Sequence, residues 1–150
     1  TFLDLDARLK TLNASQTSAA TDQNLIAWTF DPATNLGASQ TSGGGIYMSK
    51  VIVREPFTVT NIMATVTTAG SGLVANQNFA ALYDDLGNRL GVTSNQATNW
   101  QVSGLKTMPL TAPVVNPAGV YYVALLSNGT TQPTVVLDWW TAACVYQADR

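Results

Sequence analysis

The sequence predicts an all-β fold, an antiparallel β-sandwich or jelly roll preceded by a short N-terminal coiled-coil helix and an extended arm. Three observations predict it. From residue 46 onward, short runs rich in Val, Thr, Tyr and Phe alternate with turn clusters at the spacing of a sandwich. The first dozen residues carry a heptad rhythm instead. Between the two lies a stretch rich in Ser, Thr, Gln, Asn and Gly. A chain of 150 residues, 46% of them hydrophobic, can bury one core of ordinary size and has little left for a second. The division is therefore an oligomerisation helix over 1–14, a linker or arm over 15–45 and a β-sandwich domain over 46–150.

In the front segment Phe2, Leu5, Leu9 and Leu12 follow one another at a/d spacing. Asp4 and Asp6 precede Arg8 and Lys10, the order a helix dipole favours. So short a helix is not stable alone in water. Its seam is expected between chains, most simply in a homotrimer.

The arm contains one apolar cluster, Leu25, Ile26, Trp28 and Phe30, expected to dock as a strand. Gly43, Gly44 and Gly45 then give the chain freedom to enter the sheet at any angle. Eight strands are expected near 46–54, 57–68, 78–84, 89–93, 97–102, 105–112, 119–127 and 134–146. In the second, Phe57 and Val59 share one parity while Ile62, Ala64 and Val66 take the other, so a bulge near Asn61 is needed to turn all five inward. Asp84-Asp85-Leu86-Gly87-Asn88 reads as a hairpin turn, with Gly87 supplying a positive φ. Pro113, Asn116, Pro117 and Gly119 mark a longer turn. The runs 79–83 and 120–126 are apolar on both faces, so each needs a second cover, either the arm with Trp28 and Phe30 or an identical subunit.

Only 11% of the residues are charged, against roughly a quarter in an average domain. Thr, Asn, Ser and Gln make up 48 of the 150 and must build the surface, as on many secreted and virion proteins. A net charge of -2 with scattered cations lacks the footprint of a nucleic-acid binder. No apolar run approaches the ~20 residues of a membrane span, and no signal-peptide pattern opens the chain, so it is expected to be soluble. A chain that opens on Thr1 is expected to be processed or cut from something longer.

Histidine is absent, which removes Ser-His-Asp and Cys-His hydrolases, the usual zinc sites and the usual neutral-pH base. The lone Cys144, among Ala142, Ala143 and Val145, reads as a small buried hydrophobe. Asp84 and Asp85, adjacent at a strand end, point to opposite faces and cannot converge on one substrate as glycosidase carboxylates do. Together with Asn88 they offer three oxygens for calcium but lack the spacing of a calcium loop. No catalytic residue, cofactor or metal is expected, and the chain is read as a non-enzyme. Asp138 beside Trp139 and Trp140 admits two readings, a sugar site with stacked rings or an edge strand with one Trp in the core and one at an interface. Trp100, between Asn99 and Gln101, has the same two.

Residues 68–73 (TAGSGL), 76–83 (NQNFAALY), 104–108 (GLKTM) and 119–125 (GVYYVAL) resemble the β-sandwich domains of minor tail, fibre and other virion proteins of phages that infect actinobacteria. The likeness covers about residues 46–146 and is one of pattern. It implies a homo-oligomeric, often trimeric, appendage on the virion outside the cell. Its partners would be itself, other virion proteins and the host surface with its carbohydrates. A capsid decoration or head fibre is the nearest alternative. From another class, a carbohydrate-binding module of a secreted bacterial enzyme shares the sandwich and its aromatics.

Overall fold

The computed structural model describes residues 20–23, 25–29, 37–138, 141–142 and 145–147. All-β with antiparallel sheets is what the sequence predicted, and no α-helix occurs among the described residues. The predicted helix with its seam residues Phe2, Leu5, Leu9 and Leu12 lies outside them, as do Phe30 and Cys144.

After a 3-10 turn at Ala20–Gln23 the strands are β1 (Leu25–Trp28), β2 (Ala38–Gln40), β3 (Ile46–Val53), β4 (Phe57–Thr68), β5 (Ser71–Leu73), β6 (Phe79–Asp84) and β7 (Arg89–Val92). A second 3-10 turn, Asn99–Gln101, precedes β8 (Gly104–Asn116), β9 (Gly119–Leu126), β10 (Gly129–Thr131), β11 (Thr134–Asp138), β12 (Thr141–Ala142) and β13 (Val145–Gln147). In the larger sheet β4 is central, with β8 on one side and β11 and β13 in succession on the other. The arm joins this sheet: β2 pairs β11 and β1 pairs β13, so its middle does dock as a strand. The four-stranded sheet runs β3-β9-β6-β7, and β5 with β10 forms a small ribbon.

The inner faces of the two main sheets share one core. Ile62, Val66 and Met108 come from the larger sheet and Val51, Leu82 and Val123 from the smaller, each worth roughly 1.5–3 kcal/mol of burial. Phe57 on β4 meets Tyr121 on β9 edge to face, ring centroids 5.1 Å apart. At one side the layers are tied by a bridge between Thr93 and Leu110 and by the Thr111 hydroxyl donating to the Val92 carbonyl at 3.0 Å.

The parity switch in β4 is present. Phe57, Val59, Ile62, Ala64 and Val66 are all buried, and the register against β8 slips between Val59 and Asn61. Three expectations are corrected. The strand expected at 97–102 is instead a 3-10 turn, because amides near it bond locally and compete with the ladder: Gln96 Nε2 donates to Ser94 O at 2.8 Å and Asn99 Nδ2 to Gln96 Oε1 at 2.9 Å. Pro113 is not in a turn, since β8 runs on to Asn116 as an edge strand, where a missing N–H is tolerated. The single strand expected over 134–146 is described as three pieces, β11 and β12 forming a hairpin register and β13 moving alongside β4.

At one end of the molecule the loops are stitched by polar groups. Thr41 Oγ1 lies 2.6 Å from Ser127 Oγ, and Gly44 N donates to Ser127 O at 2.8 Å. Gly44 sits at φ 74°, the backbone freedom expected of the glycine triplet.

Candidate functional site

Carboxylates are the side chains of this histidine-free chain that could carry acid–base chemistry. Asp84 spends both oxygens on its own turn: Oδ1 accepts from Leu86 N at 3.0 Å and Asn88 N at 2.7 Å, and Oδ2 accepts from Asn88 Nδ2 at 2.8 Å. Gly87 at φ 85° closes the hairpin, as its sequence position required. Asp84 and Asn88 satisfy each other, which leaves the calcium reading without its ligands. Among the described residues no three His, Cys, Asp or Glu side chains gather to hold a metal.

The Asn88 amide, more than the backbone N–H groups, holds the Asp84 carboxyl below the usual carboxylate range. A carboxyl whose pKa falls on folding contributes stability that is fully present above its unfolded value and is lost as the pH drops through the folded value. Asp84→Ala should therefore lower stability modestly at neutral pH, the group being exposed. Thermal melts of both proteins across a pH series should converge in acid. A constant difference at every pH would show that the turn does not depend on the charge.

Of the aromatic residues singled out in the sequence, Trp100 is 2% exposed and donates its indole N–H to Met108 Sδ at 3.3 Å. It is a core residue, which removes it as a surface platform for a ligand. Asp138 ends β11 opposite Thr141, while Trp139 and Trp140 lie outside the described residues.

A different surface emerges from strand pairing. On β3, Ser49, Val51 and Val53 turn inward and are buried, so Ile46, Met48, Lys50 and Ile52 form the outward set, with Ile46 61%, Met48 42% and Ile52 52% exposed. The register extends that face across the sheet in rows. Met48 pairs Ala124, which pairs Ala81, which pairs Val92. One row along, Lys50 pairs Tyr122, which pairs Tyr83, which pairs Arg89. In the row on the other side Ile46 pairs Leu126, which pairs Phe79. Both tyrosines are half-buried and both cations exposed. The four strands thus present an apolar outer face with its two cations on the two edge strands.

Sequence reasoning saw that 79–83 and 120–126 were apolar on both sides. It did not see that β3 completes the face, because Ile46-Tyr47-Met48 alternates between two apolar sets and only register tells which points out. The described part of the arm joins the other sheet, and the outer face keeps its large exposed side chains.

No family model and no curated protein matches the chain. Among solved structures, the carbohydrate-binding module CsCBM6-3 from Clostridium stercorarium, in complex with cellobiose, is similar over 84% of this chain and 83% of its own, at 17% sequence identity and a TM-score of 0.40.

Proposed function

We propose that the chain is a non-catalytic module that works by association, a structural or adhesion component of a tailed-phage virion such as a tail fibre or tail tip. The observation that supports association is the outer face of the four-stranded sheet, where three large aliphatic side chains on one strand stand 42–61% exposed beside an aromatic and aliphatic surface. Monomeric proteins rarely leave contiguous apolar patches of more than a few hundred Å² in water, and such patches mark interaction sites. Nothing on that face pairs a nucleophile with a base. The virion context is supported by the sequence resemblance and by the front heptad. Labelling intact particles with an antibody to the chain should decorate an appendage. Particles without the chain, alongside a secreted enzyme that carries it, would overturn the assignment.

One observation favours a second reading, a carbohydrate-binding module. Tyr122 and Tyr83 are neighbours on adjacent strands between Lys50 and Arg89, and tyrosine rings offer flat apolar surfaces with a polar tip. Affinity electrophoresis through gels containing soluble polysaccharides separates the readings. Unretarded migration is expected for the assembly module. Retardation lost on Tyr122→Ala would establish the sugar reading instead.

A further inference from the structure

Granted that the chain works by association, we infer that the outer face of the four-stranded sheet is where a second copy of this chain packs. The relief of the face is the first reason. Ala81 and Ala124 are buried although they point outward, in a row set between rows of larger side chains. They form the floor of a shallow hollow. Along β3, Ile46, Met48 and Ile52 stand up as exposed knobs. A surface that carries both a hollow and the knobs to fill one is suited to a two-fold contact, in which each feature is used twice. Two sheets meeting in this way interdigitate at about 10 Å.

Size is the second reason. Strands of eight, eight, six and four residues, rising about 3.3 Å per residue and about 4.8 Å apart, give a plan area on the order of 400 Å² before side-chain relief adds to it. One partner's share of a standard protein interface is about 800 Å². The face is of the right order for a dimer and larger than a small ligand requires.

The distribution of polar groups is the third reason. Lys50 and Arg89 lie on the edge strands, and the exposed Asp85 lies in the turn at one end, so charge of both signs sits at the rim. The centre holds none. An apolar centre with a polar rim is the anatomy of a protein interface, and a patch that must recognise itself needs both signs. A sugar polymer would call for a row of hydrogen-bonding side chains in the middle, where, apart from Tyr83 and Tyr122, the face offers alanine, leucine and phenylalanine.

The test is size-exclusion chromatography with light scattering on the full chain and on the double variant Ile46→Lys with Ile52→Lys. Both positions are exposed, so far-ultraviolet dichroism should be unchanged. The wild type should associate, and the variant should require at least a ten-fold higher concentration to do so. Nitration with tetranitromethane gives an independent readout: Tyr122 should be protected in the associated wild type and reactive after dilution. An oligomer equally tight in both proteins, with Tyr122 reactive throughout, would overturn the inference. A wild type that stays monomeric but binds another virion protein through Tyr122 would overturn it too, while leaving the association reading standing; one that binds a polysaccharide there would overturn both in favour of the sugar reading. A monomer that binds nothing would remove both.

Discussion

Trp100→Ala should lower the melting temperature by roughly 6–20 °C. Truncating a buried tryptophan costs about 3–5 kcal/mol, and in a domain of this size each kcal/mol is worth about 2–4 °C. The position justifies the upper half of that range. Trp100 sits in a 3-10 turn yet is buried against β4, β8 and β9, and it lines a small, partly open pocket with Thr41, Ala64, Leu125, Ser127 and Val135 that already has room for about one water. Removing the indole enlarges a void that the surrounding strands cannot close without breaking their ladders. The same change leaves Met108 Sδ without the indole N–H it accepts. Trp100→Phe keeps most of the ring volume and should cost on the order of 1–2 kcal/mol. Calorimetry on the three proteins decides the matter. A shift of less than about 2 °C for the alanine variant would mean that this turn is peripheral to the fold.

Trp100 also shows where sequence reading stopped. A tryptophan between two amides could face a ligand or the core, and the strand expected at 97–102 was the wrong element. What decided the outcome were hydrogen bonds among Ser94, Gln96 and Asn99, whose geometry depends on which amide reaches which carbonyl. By contrast, the β4 bulge was legible because five apolar residues on two parities leave one arrangement that buries them all. The β6-β7 hairpin was legible because Asp, Gly and Asn at those offsets have one local use. The short ribbon of β5 and β10 was not, three residues being too few for a periodic signal. The outer face was half legible: doubly apolar runs announced that a cover was needed. Which side chains would share a row depended on register between strands far apart in the chain, such as those of Tyr83 and Tyr122.

Asn78→Ala should cost about 2–4 kcal/mol, and Asn78→Asp should cost more at neutral pH than in acid. Asn78 is 0% exposed. Its Oδ1 accepts the Asn128 backbone N–H at 3.0 Å, and its Nδ2 donates to the Val74 carbonyl at 2.6 Å. The side chain thereby pins the loop between β5 and β6 to the turn that follows β9, while its own carbonyl accepts Gln96 N at 2.8 Å. The alanine variant strands the half-buried Asn128 N–H and leaves a void beside it. The aspartate variant keeps an acceptor for that N–H but sets a buried negative charge against the Val74 carbonyl, which needs a donor. Burial then raises the pKa of the introduced carboxyl above its unfolded value, so the folded state holds its proton to higher pH than the unfolded state does. Stability must rise as the pH falls through that raised value, because the protonated carboxyl can again donate to Val74 O. Denaturant titrations of wild type and both variants across the acid range give the readout. The aspartate variant should recover toward the wild type as the pH drops, and the alanine variant should not. Parallel curves for the two would show that the amide acts here through its volume and not through its hydrogen bonds.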